Sequence, residues 1–484
     1  MSVYGEYWAA SRPKIAAMDA LEATACYPAL MARDARFDGR FFVGVTSTGV
    51  YCRPICRVRT PKLANCRFFG SAAQAEAARF RPCLKCRPEL APRSAFTAMD
   101  ASSQLAREAA RLIEAGEGSM TALAARVGIT DRHLRRIFAA EHGVTPLQYV
   151  QTRRLLLAKQ LLTDSALSVA QVALASGFES LRRFNAAFVE HYRLQPTAMR
   201  RAGGQAAVPV LRLNCREPYD VDGLLRFLDA RAVRGVERID MANAVIERSV
   251  LLHHQGQALR GSLRAAFVRP GCVEVQLSPA LWPAVASLLP MLRRWLDLDA
   301  DPIAVAATLP EGSPPGLRLP GALDRFELAV RAVLGQQVTV AAARTIAGRF
   351  VERFGVPLDG GLIGFPEPQT IADAPIEHIA ELGIIRQRAA ALQAIAAAWP
   401  GLLFARGALL SEANLAQALA ELEALPGIGP WTARYMLMRG WSWPDAWLVG
   451  DVALKKALGG VIGSGDEFRP YRSYAVLHFW RTLA

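Results

Sequence analysis

The chain has 484 residues, enough for about three domains at roughly 150 residues each, and a hydrophobic content of 52% is ample for several buried cores. Its formal charge of +14 is unevenly placed: residues 1–94 carry 15 Lys/Arg against 7 Asp/Glu, residues 95–205 carry 14 against 9, and the remainder 28 against 27. An acidic, self-repelling or low-complexity chain is excluded; the first two regions suit a polyanion, while the last must bind through local geometry.

The opening MSVYGEYWAASRPK lacks a basic start followed by an apolar core, and no later apolar run is long enough to cross a bilayer. The expectation is a soluble cytoplasmic protein without a membrane partner. Of eight cysteines, five fall between positions 52 and 86, and in a cytosolic chain such clustering argues for metal rather than disulfides. Cys52 and Cys56 form C-x3-C, and Cys83 and Cys86 form C-x2-C. Two such pairs can close a tetrahedral site, with Zn2+ the ion best suited to four thiolates. Cys66, followed by Arg67-Phe68-Phe69, reads as a buried strand residue. Arg53, Arg57, Arg59, Lys62, Arg67, Arg81, Lys85 and Arg87 surround the pairs, an arrangement suited to phosphate contact.

Roughly residues 20–95 resemble the N-terminal domain of the Ada alkylation-response regulators. The resemblance implies that Cys52 takes a methyl group from a methylated DNA phosphate and that Cys56, Cys83 and Cys86 complete the zinc ligands; spacing alone does not say which thiolate is the nucleophile. The chemistry fits. Zinc keeps a thiol deprotonated, and a methyl phosphotriester is a neutral electrophile that a thiolate can approach. Four thiolates on one Zn2+ sum to minus two, and methylation of one lowers this to minus one, so repulsion from DNA phosphates drops. A stoichiometric damage sensor is the expected outcome.

Residues 95–204 read as two helical modules. Thr121–Val127, a turn at Gly128 and a helix from about Thr130 make the first, with Leu134, Ile137 and Phe138 on one face and Arg132, His133, Arg135 and Arg136 elsewhere. Val169–Ala175, a turn at Gly177-Phe178 and a helix burying Leu181, Phe184 and Phe188 make the second, leaving Ser180, Arg182, Arg183 and Asn185 outward. A glycine turn between short helices followed by a basic face is a helix-turn-helix pattern. Tandem modules joined by a Leu-rich helix, Val150–Leu162, with the ending GFESLRRFNAAFVEHYRLQPTAMRR, are similar to the AraC family of transcription regulators. That resemblance makes Arg182, Arg183 and Asn185, with Arg132 and Arg135 in the first module, candidate base readers, and RNA polymerase a partner. His133, His142 and His191 each stand alone, so solvent-facing or DNA-facing places are expected for them.

Ala202-Gly203-Gly204-Gln205 reads as a flexible joint. Val208–Cys215, Asn243–His253, Leu259–Arg269 and Cys272–Leu277 have strand character, with a helix over Val221–Ala232; Cys215 and Cys272 are expected in the core. From Pro283 the chain is mostly helical, with an amphipathic helix over Leu323–Gly335. Leu425-Pro426-Gly427-Ile428-Gly429-Pro430 is a tight turn in which Gly427 and Gly429 permit close approach by a backbone. The helix beginning at Trp431 offers free amides to phosphate. An aromatic stretch, Trp441–Trp447, and then Gly450-Asp451 follow.

This order, extended by PGLRLPGALDRFELAVRAVLGQQVTVAAA and RPYRSYAVLHFW, resembles the HhH-GPD superfamily of DNA glycosylases over about residues 208–484, and the AlkA type most of all. The resemblance implies hydrolysis of the bond joining an alkylated base of the 3-methyladenine type to deoxyribose. Asp451 would stabilise the cationic sugar and orient or deprotonate water, and Trp431, Tyr435 and Trp480 would line an aromatic pocket for a charged base everted from the duplex. Gln337 stands where the type carries an apolar wedge. Trp431 stands where strand-cutting relatives carry Lys, so no amine is placed for a Schiff base, and no cysteine follows Cys272 to hold an iron-sulfur cluster. Base removal alone is expected. Carbonyls of Glu423, Leu425 and Ile428 match those that hold a monovalent cation in the family. Nothing resembles the Pro-Cys-His-Arg acceptor motif of guanine repair.

The expected architecture is multidomain α+β. A small zinc-bound α/β sensor domain (1–94) and an all-α tandem helix-turn-helix (95–204) precede a small β-sheet domain (205–290) and an all-α helix-hairpin-helix glycosylase core (291–484). The rival reading is a purely regulatory DNA-binding protein with an inactive glycosylase domain; a third is an enzyme whose zinc domain only positions it on DNA.

Overall fold

The computed structural model describes residues 23–92, 101–114, 119–165, 167–200, 209–254, 256–408 and 410–483. The joint at 202–205, the strand start at Val208 and the expected boundaries at 94/95 and 204/205 lie outside these residues. Among the described residues no helix is long and apolar enough to cross a membrane. The chain separates into two compact units, one of residues 23–88, 101–110 and 119–152, the other of 89–92, 111–114 and 153–483.

In the first unit a four-stranded sheet of order β3-β1-β2-β4 is built from β1 (Phe42–Val45), β2 (Val50–Cys52), β3 (Cys66–Phe69) and β4 (Arg81–Pro82). The contact that matters for chemistry is the parallel one, β2 against β4, with Val50 opposite Arg81 and Tyr51 opposite Pro82. Gly44 lets the sheet close: a Cβ there would stand 2.8 Å from the Phe69 ring and 2.9 Å from that of Phe80. Cys66 begins β3 as expected but is half-buried rather than buried, since β3 is an edge strand.

The first helix-turn-helix, Met120–Val127 and Asp131–His142, also lies in this unit. Ser119 and Thr130 cap its helices, and Gly128 takes the left-handed turn at φ 76° that a side chain resists. Leu134, Ile137 and Phe138 are buried. His142 departs from expectation: its ring lies 4.4 Å from that of Phe138, and its Nε2 is 3.3 Å from the Ala106 carbonyl. An imidazole at this place fills the seam between helices instead of facing solvent.

In the second unit the second helix-turn-helix comprises Val169–Ala175, held by a reciprocal Ser168/Gln171 capping box, and Leu181–Tyr192, capped by Ser180. Phe184 and Phe188 are fully buried, but Leu181 is 43% exposed. As the first residue of its helix it precedes the turn that packs, so its apolar character does not put it inside. His191 likewise packs, edge-on to Tyr192 at 4.9 Å.

A five-stranded antiparallel sheet follows, of order β5-β9-β8-β7-β6. Its strands are β5 (Val210–Asn214), β6 (Glu237–Asp240), β7 (Val245–His254), β8 (Gln257–Arg269) and β9 (Cys272–Leu277). The strand β6 had no counterpart in the sequence reading, because three of its four residues are charged and show no apolar alternation. Leu161, Val172 and Phe188 of the helical module and Leu211, Val275 and Leu281 of the sheet region belong to one hydrophobic core. Polar contacts seal the seam: Gln160 donates to the Arg212 carbonyl at 2.9 Å, and Arg212 pairs with Asp164 at 3.4 Å. Cys215 and Cys272 are buried core residues, and burial pushes the Cys215 thiol up to about 12.

The helical core forms around Arg325–Leu334, where eight of ten residues are buried. The expectation of an amphipathic helix there is corrected, since the helix is surrounded. Its one buried charge, Glu327, is matched by Arg248 and by Arg331 at 2.7 Å, as an internal carboxylate must be.

Candidate functional site

The parallel strands β2 and β4 end side by side, which carries Cys52 and Cys56 from one and Cys83 and Cys86 from the other to a common point. Cys83 N donates to the Tyr51 carbonyl at 2.9 Å. The four Sγ atoms all lie within 4.8 Å of one another. A tetrahedron with zinc-to-sulfur arms of about 2.3 Å has edges of about 3.8 Å, so the donor set and its spread fit Zn2+ by geometry as well as by softness. Sharing protons among sulfurs drives the Cys52 thiol upward, through Cys56 first and then Cys83 and Cys86, while Cys83 is held low chiefly by its bond with Cys52. A central dication reverses the cost of deprotonation.

Arg53 is corrected from a phosphate-facing cation to a structural one. It is 2% exposed, its guanidinium grips Asp38 with Nε at 2.8 Å, and its Nη1 donates to the Cys86 carbonyl at 3.1 Å. Arg57, Arg59, Lys62, Arg67 and Lys85 are exposed, whereas Arg81 and Arg87 are half-buried. Five of the seven remaining cations are thus open to solvent in the domain that carries the sulfur cluster.

On the helix-turn-helix faces, Arg132 and Arg182 are exposed and stand second in their helices. Arg135 pairs with Asp131 and Arg183 with Glu179, each at 2.8 Å and exposed. Such surface pairs are screened by solvent and yield readily to a phosphate or a base. Ser180 is not an outward reader, because its hydroxyl accepts from Arg183 N as the helix cap, and Asn185 is half-exposed.

In the second unit the helices Glu412–Glu423 and Pro430–Gly440 flank the turn Leu425–Gly429. Gly427 sits at φ 78°, and a Cβ on it would meet that of Ala391 at 3.0 Å; Gly429 has open space on its side. Ile428 is buried beneath the turn, while Gly427 and Gly429 are exposed. Leu425 O already accepts from Ile428 N at 3.2 Å.

Asp451 caps the helix Val452–Ala457 and is 7% exposed. Oδ1 accepts from Leu454 N at 2.6 Å and from Trp480 Nε1 at 3.0 Å, and Oδ2 accepts from Trp431 Nε1 at 3.0 Å. Three N–H donors compensate the buried charge and leave Oδ2 the less saturated oxygen. The Trp431 ring is stacked on Tyr435, 5.3 Å between centroids and 7° from parallel, and Tyr435 lies 6.3 Å from Trp480. All three rings are only half-buried. A carboxylate bordered by three partly open rings offers a place for a cation.

Gln337 is exposed at the tip between the helices Arg325–Leu334 and Val340–Phe354, with a left-handed φ of 54°. Such a backbone in a non-glycine residue is costly, and its neighbour explains how it is held. Gln336 donates through Nε2 to the Gly427 carbonyl at 2.9 Å and to Thr432 Oγ1 at 3.1 Å, tying the tip to the hairpin turn. The sequence reading missed Gln336, because an amide in a pair of glutamines carries no spacing signal. It missed Arg439 as well, whose two carbonyl partners, Pro320 and Gly321, lie more than a hundred residues away.

Four family models match in succession: the metal binding domain of Ada over residues 25–89, a helix-turn-helix domain over 123–202, the AlkA N-terminal domain over 210–324, and the HhH-GPD superfamily base excision DNA repair protein over 330–466. A Mycobacterium tuberculosis protein described as "Probable bifunctional transcriptional activator/DNA repair enzyme AlkA" is 36% identical, across 95% of this chain and 96% of its own length. The Escherichia coli DNA-3-methyladenine glycosylase 2 is 36% identical over 56% of this chain and 96% of its own. Escherichia coli Ada, a bifunctional transcriptional activator/DNA repair enzyme, is 31% identical over 43% of this chain and 56% of its own.

Proposed function

Because the chain belongs to the family of bifunctional transcriptional activator/DNA repair enzymes of the AlkA type, we propose that Asp451 is its catalytic carboxylate and Cys52 its methyl acceptor. The protein is an alkylation-damage response protein, combining a zinc-binding methyl-acceptor domain, a helix-turn-helix regulator and a DNA glycosylase of the 3-methyladenine type.

The observation that carries the glycosylase assignment is the setting of Asp451, fixed by two indole N–H groups beside a stacked aromatic pair. An alkylated purine carries positive charge and leaves without an enzymic acid. What remains is the cationic sugar, which the carboxylate stabilises while it directs water to the anomeric carbon. The rings favour a charged base by about 0.5–2 kcal/mol. Gly427 and Gly429 admit a DNA backbone to the hairpin amides, and Gln337 is a polar wedge for the gap left by the everted nucleotide.

At the cysteine cluster, Cys56, Cys83 and Cys86 hold Zn2+ with Cys52, and bound zinc supplies the charge that keeps these sulfurs as thiolates. Cys52 Sγ forms a bond to the methyl carbon as the carbon–oxygen bond of the phosphotriester breaks, releasing a phosphodiester anion. Exposed Arg57 and Arg59 hold the flanking phosphates. Arg132, Arg135, Arg182, Arg183 and Asn185 read the promoter, and RNA polymerase is the partner of the activator. A monovalent cation at the carbonyls of Glu423, Leu425 and Ile428, and a cytoplasmic place for the protein, belong to the same proposal.

Incubation of the full chain with DNA methylated on both bases and phosphates tests it. Free alkylated base and protein-bound methyl are both expected, and Cys52→Ala removes the second alone. Methyl uptake that survives Cys52→Ala contradicts the acceptor assignment. Absence of free base favours the rival regulator with an inactive glycosylase domain, the polar Gln337 being the one residue that speaks for it.

A further inference from the structure

Beside the aromatic rings lies a buried cation that is not among the donors to Asp451, its guanidinium carbon 5.8 Å from the Tyr435 ring centroid. Arg439 follows Tyr435 by one helical turn and is 7% exposed. Its Nε donates to the Pro320 carbonyl at 2.9 Å and its Nη2 to the Gly321 carbonyl at 3.0 Å. Those two bonds fix the guanidinium plane, and the remaining nitrogen, Nη1, donates to Tyr435 Oη at 3.0 Å. Phe227, from the helix Val221–Asp229 of the sheet domain, lies against the same group, 5.0 Å from ring centroid to guanidinium carbon. A second cation from that domain, Arg231, stands 3.8 Å from the Phe227 centroid and donates to the Phe227 carbonyl at 3.3 Å. Burial raises the Tyr435 phenol, but the charges of Arg439 and then Arg231 outweigh it and hold the group below its ordinary range.

A planar guanidinium with three directed bonds is a rigid anchor, and burying one carries a desolvation cost that packing alone does not require. What it anchors is the phenol, whose ring lies 7° from parallel with Trp431. Trp431 in turn donates its indole N–H to Asp451 Oδ2.

We propose that Arg439, backed by Phe227 of the sheet domain, is a positioning residue for base removal: by holding Tyr435 through its hydroxyl it fixes the plane of Trp431 and thereby the Oδ2 oxygen of Asp451. The sheet domain is thus part of the catalytic apparatus, reaching the carboxylate through a chain of four side chains. This rests on the glycosylase reading above, and the test below separates the two.

The full-length protein, labelled with 15N at tryptophan, is compared with Tyr435→Phe, Arg439→Met and the double variant. Tyr435→Phe keeps the buried ring and removes only the hydroxyl, so it carries the test by itself should Arg439→Met fail to fold. In both single variants the Trp431 indole N–H resonance shifts and its exchange with solvent quickens by roughly tenfold. The indole N–H groups of Trp441 and Trp447, bound to the Phe404 and Gly463 carbonyls, stay where they were. Single-turnover base release falls by roughly tenfold in each single variant and no further in the double, at unchanged DNA affinity. An unmoved Trp431 resonance in Tyr435→Phe, or losses that multiply in the double variant, overturns the proposal. A parent protein that releases no base refutes the glycosylase reading instead, and the indole resonances then still decide whether Arg439 positions Trp431.

Discussion

Four sulfurs from two adjacent strand ends make the cysteine cluster, whereas the Asp451 carboxylate takes its donors from Trp431, Leu454 and Trp480, on three separate helices. The first centre is local: one short stretch supplies every donor, spaced to hold a Zn2+ ion. The second is assembled by packing. The difference lies in what each loses when a part is removed. A tetrahedral cluster short of a ligand or its ion fails as a whole, while a carboxylate with several donors degrades by steps.

Removing zinc is the largest way to break that contrast. Apparent binding free energies of about 10–16 kcal/mol for small structural zinc sites exceed what a small sheet can supply. A chelator is therefore expected to abolish methyl uptake and amide protection over β1 to β4 while leaving base release intact. Loss of base release in step with the metal would erase the distinction.

Trp480→Phe probes the stepwise side. It removes one charge-assisted donor from Oδ1 while Leu454 N remains, a change of about 1.5–3 kcal/mol. Base release in a single turnover is expected to fall by roughly tenfold to a hundredfold at unchanged DNA affinity. A complete loss would show that the pocket, like the cluster, has no partial state.

The helix-turn-helix faces sharpen the comparison at lower energies. Arg182→Ala is expected to cost about 1–3 kcal/mol of operator binding and to relax preference at one base pair. Arg183→Ala, which also frees Glu179, is expected to cost less than about 1 kcal/mol. Titrations of each variant on its operator and on random duplex at fixed salt read both. Neither substitution should change methyl uptake or base release.

How much was legible in the chain follows the same line between local and distant contacts. The pairs Cys52/Cys56 and Cys83/Cys86, the turn at Gly128, and the turn from Leu425 to Pro430 are short-range patterns, and the structure has each in the expected form. Apolar residues at helical spacing are usually buried, but the place of Leu181 at the helix start defeats that rule. Nothing local to Arg53 distinguishes it from its exposed neighbours, because its partner Asp38 lies on another segment. The shared core of the second helix-turn-helix and the five-stranded sheet, sealed by Gln160 and Arg212, joins residues that no periodicity connects. Arg439 and Gln336 escaped for the same reason.

Asp451→Asn tests the central claim most directly. The amide keeps the size of the side chain and an oxygen for the Leu454 cap, but it gives up the negative charge and places an NH2 group against an indole N–H. Release of methylated base in a single turnover, measured beside affinity for the same DNA, is expected to drop by about a hundredfold to a thousandfold with affinity unchanged. Base release within a few fold of the parent would contradict the assignment of this carboxylate to the chemistry.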